Sequence, residues 1–150
     1  MNLKIFKAGK KHSNAIIYLI NELAKFEKLP PPDENAKKRL LKNAFGKKPL
    51  FNILGVKDEA SIVAYAFYFF TYSSFLAKKT LYLEDIFISE KFRNKGIGKL
   101  LMNELIKIAK KNKCGRMEWC VLDWNENAIN FYEKLGARQL KEWHYYRIEI

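Results

Sequence analysis

Residues 91–105 read KFRNKGIGKLLMNEL and join a run of strand-forming residues to an amphipathic helical pattern. Gly96 and Gly98 stand where this helix would begin. Three cations surround them, Arg93, Lys95 and Lys99. Glycine lets a backbone approach a ligand closely, and a helix N-terminus presents unpaired N–H groups with partial positive charge. Taken alone, the stretch indicates either an anion-binding loop suited to phosphate or an ordinary basic turn between a strand and a helix.

The glycine spacing of this loop differs from two common phosphate-binding motifs. The chain contains no GxxxxGK[ST] sequence, and its single GxG lacks the βαβ context of a dinucleotide fingerprint. The loop therefore has to be interpreted from its neighbours in the chain.

Hydrophobic periodicity and turn residues predict the elements on either side. Strands are predicted over residues 3–6, 50–57, 61–72, 80–89, 116–122 and 143–150. Helices are predicted over residues 12–27, from the N-cap Asp33 to about residue 45, over 96–112 and over 126–135. The order β-α-α-β-β-β-α-β-α-β predicts an α/β (α+β) fold with a mixed, mostly antiparallel central sheet flanked by helices.

Composition limits the class of protein. The chain has 150 residues with 49% hydrophobic content, which predicts one domain over residues 1–150 with a sizeable core. The longest apolar run, residues 61–72, is too short for a membrane span. Neither that run nor the N-terminal sequence indicates a membrane or export segment, so we expect a cytoplasmic protein. Two cysteines and two histidines are too few for a zinc site, and we expect no metal.

The formal net charge is +12, which attracts anions. Because the lysines are dispersed along the chain, they indicate a solvated basic surface as readily as a nucleic-acid patch. The sequence contains no recognised nucleic-acid-binding motif, and we do not expect nucleic acid as a partner.

The segment RNKGIG satisfies the pattern [RQ]-x-x-G-x-[GA] and thereby resembles the coenzyme A loop of the GNAT acetyltransferases. Three further stretches are similar to the diamine N-acetyltransferase family, which includes the spermidine/spermine and thialysine enzymes. They are ELAKFEK (22–28), LYLEDIFIS (81–89) and WNENAINFYEKLGA (124–137). The sequence departs from the family at Asn127, where proline is frequent, and aligns poorly after Leu140.

The resemblance implies an enzyme that transfers acetyl from acetyl-CoA to a primary amine of a small diamine or polyamine. Tyr132 would be the general acid that protonates the leaving sulfur, although its helical spacing also suits packing. Glu84 would assist amine deprotonation through a water molecule, with Asp85 as a structural carboxylate. Adjacent strand residues point to opposite faces, so both acids reach one cleft only if a bulge intervenes.

The resemblance also implies the binding residues and a homodimer. Coenzyme A would be bound by Ile86, Phe87, Ile88, Arg93, Asn94, Lys95, Gly96, Ile97, Gly98, Lys99, Asn125, Asn127, Ala128 and Tyr132. The amine would be bound by Phe26, Glu27, Glu84, Glu118, Trp119 and Cys120. Glu27 could equally be a solvent-exposed helix end.

The acceptor stays open at this point. A polyamine is a cation and the protein is strongly basic, so a thialysine-like or lysine-like zwitterion, or a protein amine, is an alternative acceptor. Two alternatives belong to other functional classes: a basic nucleic-acid-binding module and an acyl-CoA sensor without catalysis. Tyr132 and Glu84 argue against the sensor.

Overall fold

A computed structural model describes all 150 residues and follows the predicted order of elements through the fourth helix. The strands are β1 (Leu3–Lys7), β2 (Asn52–Asp58), β3 (Ser61–Ser73), β4 (Lys78–Ile88) and β5 (Arg116–Trp119). The helices are α1 (Ser13–Phe26), α2 (Glu34–Phe45), α3 (Ile97–Lys111) and α4 (Glu126–Lys134). The chain divides into two compact units, Met1–Trp119 and Cys120–Ile150.

The first unit is built on a five-stranded sheet in the order β1-β2-β3-β4-β5. The first three pairings are antiparallel, and only β4 and β5 run parallel. Strands β2, β3 and β4 follow one another across short turns, and α1 and α2 lie between β1 and β2. The parallel pair of β4 and β5 needs the long crossover that α3 provides. The prediction of a mixed, mostly antiparallel sheet with helices is confirmed.

One hydrophobic cluster joins α1 to the sheet. Ile16, Leu19 and Ile20 form an apolar stripe on α1 and are buried in the same cluster as Tyr65 of β3 and Phe87 of β4. Each side chain of this size contributes roughly 1.5–3 kcal/mol when it leaves water. The stripe therefore fixes α1, and with it Phe26 at the end of that helix, against the middle of the sheet.

The helix α3 begins directly after a glycine in a left-handed conformation. Gly96 has φ +79° and caps the helix, and Ile97 is its first residue. The buried face of α3 is formed by Ile97, Leu101, Met102, Leu105 and Ala109. A non-glycine residue at position 96 would pay the steric penalty of this region, which explains why the sequence places a glycine at the strand-to-helix turn.

The strand β4 is interrupted by a bulge in its middle. Asp85 pairs with Phe67, and Leu83 pairs with Tyr68, which leaves Glu84 as an extra residue without a partner on β3. On the other edge of β4, the ladder with β5 ends at the pair of Leu83 with Trp119, although β4 continues to Ile88. The last five residues of β4 therefore have no ladder partner in β5.

The second unit contains α4 and the C-terminal segment. The side chain of Asn125 accepts a hydrogen bond from the backbone N–H of Ala128 at 3.3 Å and caps α4. Gly136, with φ +87°, follows the end of the helix. Both ends match the sequence prediction for this helix.

The strand predicted over residues 143–150 is not formed. These residues have no regular secondary structure, and all eight are exposed. Alternating aromatic and polar residues satisfy the local preference for a strand, but a strand also needs a neighbouring backbone with which to pair. The single chain has no such pairing for this segment, so this part of the predicted element order was wrong.

None of the helices combines the length and the apolar character that crossing a membrane requires.

Candidate active site

A buried hydrogen bond links β3 to the acidic pair of β4. The hydroxyl of Tyr65 donates to Oδ2 of Asp85 at 3.1 Å. Tyr65 is completely buried, and Asp85 is half-buried beside the bulge at Glu84. A buried tyrosine hydroxyl requires a partner, and the carboxylate of Asp85 supplies it.

The surroundings of Asp85 disfavour its charged form. Burial, and then the neighbouring charges of Glu84 and Glu27, raise the pKa of the Asp85 carboxyl from 3.8 to about 6, against a lowering effect of the Tyr65 hydrogen bond. No lysine or arginine is among the groups that shift the pKa of Asp85. Burial also raises the pKa of Glu27. Three carboxylates thus form an acidic cluster, Glu27, Glu84 and Asp85, without an internal counter-ion.

The bulge explains how adjacent residues reach one site. A bulge changes the direction of the side chains around it. Burial raises the pKa of the Tyr65 hydroxyl most, and the charges of both Asp85 and Glu84 raise it further. Glu27 follows the last residue of α1 and acts on the same two groups. Glu27, a predicted substrate residue, therefore belongs to the same acidic cluster as Glu84, the predicted base.

The structure gives Glu118 a partner elsewhere. Its Oε1 lies 2.8 Å from Nε of Arg116 on the same strand, and its charge is not among those acting on Asp85. Trp119, the last residue of β5, is half-buried, and Cys120 is exposed at the start of the second unit. The substrate-binding roles of these three residues remain predictions.

The open edge of β4 lies just before the glycine loop in the chain. Ile86, Phe87 and Ile88 pair with β3 on one side and have no β5 partner on the other. The backbone then passes through Ser89 and a short turn, Glu90–Phe92, to Asn94 at φ +59° and to Gly96. No heavy atom lies within 4 Å of the position that a Cβ of Gly96 would occupy.

Arg93 has a defined place at the start of this loop. Its Nε donates to the carbonyl of Ile88 at 3.1 Å, and its guanidinium lies 4.7 Å from the ring centroid of Phe26 and 5.6 Å from that of Phe87. The arginine thereby connects the loop to α1 and β4. Among the other predicted loop cations, Lys95 lies 5.1 Å from the ring centroid of Phe92, and Lys99 is exposed.

Tyr132 lies on α4 in the second unit. Its side chain is 8% exposed, and burial raises the pKa of its hydroxyl from 10.0 to about 12. The hydroxyl is therefore protonated at neutral pH, as a general acid must be before it reacts. Asn125 caps the same helix, with Asn127 and Ala128 in its first turn.

Sequence reasoning missed Tyr65 and underrated Asp85. Tyr65 lies in an aromatic run that resembles ordinary core, and only its hydroxyl distinguishes it. A tyrosine in the middle of a strand predicted to be buried is itself a signal, because its hydroxyl must find a polar partner. That partner proved to be one of the two acids already singled out.

The comparisons with known proteins bear on this arrangement of strand edge, glycine loop and acidic cluster. Residues 16–137 match the model of the acetyltransferase (GNAT) family. The chain belongs to this family. Its members use acetyl-CoA as the acetyl donor, and this chain is an N-acetyltransferase acting on amines.

Two curated relatives illustrate the similarity. A thialysine N-epsilon-acetyltransferase from Sus scrofa is 34% identical over 145 residues, which cover 89% of this chain and 85% of the relative. An L-ornithine N5-acetyltransferase from Arabidopsis thaliana is 48% identical over 91 residues, 61% of this chain and only 40% of that protein.

Solved structures show the same fold. An integron cassette protein from V. cholerae has a TM-score of 0.85 at 26% identity, covering 99% of this chain and 93% of its own. A possible acetyltransferase from Clostridium difficile 630 also has a TM-score of 0.85, at 20% identity, over 100% of this chain and 99% of its own.

The residues present suit the donor. Phosphate groups favour a helix N-terminus, and α3 has no acidic residue in its first turn and no atom close above Gly96. The unpaired edge of β4 offers amide groups of the kind that an extended, peptide-like chain can pair with. The start of α3 and the unpaired edge of β4 are thus close in sequence, and their binding of acetyl-CoA stays a prediction.

Proposed function

We propose that this enzyme acetylates a primary amine of a small molecule that carries a second charged group: a diamine, a polyamine or a lysine-like amino acid. The observation that carries the proposal is the acidic cluster of Glu27, Glu84 and Asp85. Its carboxylates have no internal counter-ion in a chain whose net charge is +12. Uncompensated, partly buried acids form a site that a cation completes.

The basic surface does not prevent a cation from binding there. At about 0.15 M salt the screening length is about 8 Å, so distant lysines contribute little and the nearest charges dominate. An ammonium group beside Asp85 would favour the ionised carboxylate and lower its pKa towards the ordinary range. Substrate affinity should therefore increase as the pH rises through about 6, where Asp85 ionises in the enzyme without substrate.

The amine must lose a proton before it can attack, because an alkyl ammonium has a pKa near 10. Glu84 is the most exposed carboxylate of the cluster and lies at the bulge. We assign Glu84 the role of accepting this proton through a water molecule, while Asp85 and Glu27 hold the positive charge of the substrate. A general base contributes typically 10²–10⁴-fold to the rate.

Acetyl-CoA supplies the acetyl group, and as the C–N bond forms and the C–S bond breaks, its sulfur becomes the leaving group. Tyr132 donates a proton to this sulfur in the proposed reaction. Its raised pKa of about 12 keeps the proton available at neutral pH. Asn125, Asn127 and Ala128 would support the pantetheine arm, and residues from Asn94 to Lys99 the pyrophosphate.

The test is a thiol-release assay with acetyl-CoA and a panel of amines: putrescine, spermidine, spermine, thialysine, ornithine, lysine and a basic peptide. We expect turnover with small amines and a large rise in KM for the variant Asp85→Asn. Turnover with the peptide alone would redirect the proposal to a protein acceptor, and no turnover with any amine would refute it.

We further propose that the enzyme is a homodimer in which the C-terminal segment, residues 143–150, contacts a second copy. Its exposed apolar side chains are Trp143, Tyr145, Tyr146, Ile148 and Ile150. The alternation of the segment suits a strand that lacks only a partner, and an exposed apolar segment of this kind marks an interaction site. A monomer would leave these side chains in water.

Sedimentation analysis of the full chain and of the double variant Tyr146→Glu, Ile148→Glu tests this contact. We expect a dimer for the former and a monomer for the latter. The control is the replacement of two exposed lysines of α2, Lys38→Glu and Lys42→Glu, which should leave the dimer unchanged. A monomeric wild-type chain at assay concentrations would refute the proposal.

A further inference from the structure

A charged cleft lies beside the acidic cluster in the first unit. Its volume is about 270 Å³, and Glu22, Lys25, Phe26, Phe87, Glu90 and Arg93 line it. The lining thus combines two aromatic rings with two cations and two anions. None of these four charged side chains is in a salt bridge, so each remains available to a ligand.

The lining has two halves, one on α1 and the other at the end of β4 and in the turn that follows it. Glu22, Lys25 and Phe26 are separated by three and four residues and share one face of α1. Phe87 is near the end of β4, and Glu90 and Arg93 belong to the turn that follows. The hydrophobic packing of α1 on the sheet brings these faces together.

Arg93 is pre-organised in the cleft. Its backbone N–H donates to the carbonyl of Glu90 at 3.1 Å, its Nε donates to Ile88, and two rings lie under its guanidinium. A guanidinium carries five N–H donors in a planar fork, and one is used here. Those remaining suit a carboxylate, which arginine binds through two parallel hydrogen bonds.

Phe87 in the cleft and Asp85 in the acidic cluster are two residues apart on the same strand. Asp85 and Phe87 pair with Phe67 and Tyr65 and share one face of β4, which places them about 6–7 Å apart along the strand. The five single bonds between the α-carbon and the terminal nitrogen of lysine span roughly 6 Å at ordinary bond lengths. On the other side, Phe26 at the end of α1 lines the cleft, and Glu27, which directly follows it, belongs to the acidic cluster.

We propose that this cleft binds the head group of an α-amino acid whose side-chain amine is the acetyl acceptor. Arg93, with Lys25, binds the α-carboxylate, and Glu22 and Glu90 bind the α-ammonium group. The side-chain ammonium then lies at the acidic cluster. The substrate class is therefore an amino acid of the lysine and ornithine type in preference to the diamine that lacks the carboxylate. This inference rests on the proposed function.

The experiment uses substrate pairs that differ only in the α-carboxylate: lysine with cadaverine, and ornithine with putrescine. The readout is the ratio of kcat/KM for the amino acid to that for its diamine, measured by thiol release with the full chain. A ratio cancels any effect of a variant on the donor site. We expect a ratio above one for the wild type and a ratio about 10- to 100-fold lower for Arg93→Gln, the loss typical of charge-assisted hydrogen bonds.

Two variants support this measurement. Lys25→Gln, an exposed change on α1, should lower the ratio in the same direction and covers the case in which Arg93→Gln does not fold. Lys91→Gln removes a cation from the same turn but outside the lining, and it should keep the wild-type ratio.

The outcomes separate the two proposals. If Arg93→Gln and Lys25→Gln turn over substrate with an unchanged ratio of amino acid to diamine, the head-group site is overturned. If Arg93→Gln then also raises the KM for acetyl-CoA, Arg93 binds the acetyl donor instead. A wild-type ratio below one also overturns the head-group site. Absence of turnover with all four amines refutes the proposed function itself, and the head-group site with it.

Discussion

The acidic cluster predicts that Asp85→Asn makes the protein more stable, and more so at high pH. Ionised Asp85 is disfavoured in the folded state, since its pKa is raised from 3.8 to about 6. Between these values the folded state binds more protons than the unfolded state, so the stability of the wild type falls as pH rises through this window. Asparagine cannot ionise, and its carbonyl can still accept the hydrogen bond of Tyr65.

The magnitude follows from the two pKa values. The full shift corresponds to about 3 kcal/mol, of which about half has developed at pH 5 and nearly all at pH 8. The stability gained by Asp85→Asn should therefore be larger at pH 8 than at pH 5 by about 1.4 kcal/mol. Because half-buried Asp85 keeps some contact with solvent, we expect about 1 kcal/mol of this difference to remain. Constant effects of the amide cancel in the comparison.

Urea unfolding of both proteins at pH 5 and pH 8 measures this difference. A matched control, Glu59→Gln, replaces an exposed carboxylate in the turn between β2 and β3. It reports how much of any change comes from removing a single negative charge from the chain. If Asp85→Asn changes the stability by the same amount at both pH values, the conclusion that the folded state disfavours ionised Asp85 is refuted.

Three further substitutions test other parts of the site. Tyr65→Phe removes a hydrogen bond to a carboxylate and should destabilise the fold by about 1.5–3 kcal/mol at pH 8 and by less at pH 5, with the pKa of Asp85 rising further in an NMR titration. Tyr132→Phe should lower kcat by at least about 10²-fold with an unchanged circular dichroism spectrum, and an unchanged kcat would remove Tyr132 from the reaction. Gly96→Ala meets no atom within 4 Å but must adopt φ +79°, so we expect a loss of about 1–2 kcal/mol in thermal unfolding and a higher KM for acetyl-CoA.

The regular elements were predictable because each carries its own periodicity. The stripe of α1, the cap Asp33 of α2 and the glycine before α3 are local signals, and the structure places them as expected. The oxygen of the Asp33 side chain accepts from Ala36 N–H at 2.7 Å, as an N-cap should.

The features that depend on pairing were not predictable from local sequence. Nothing in LYLEDIFIS specifies that Glu84 is the bulged residue, because register is settled by the packing of both strands. The segment 143–150 has the alternation of a strand and no partner in the single chain, so its pattern was misleading for the same reason. Local preference specifies a strand only together with its neighbour.

The acidic cluster shows why a basic chain can retain a site for cations. If its carboxylates served only stability, replacing Asp85 by a neutral residue would be favourable, since no internal cation offsets its charge. A buried tyrosine nevertheless holds it in place with a directed hydrogen bond at 3.1 Å. Groups kept in an unfavourable ionisation environment are found mainly where binding or catalysis needs them. The same variant that gains stability should therefore lose affinity for the amine, and the two measurements together distinguish a substrate site from a structural acid.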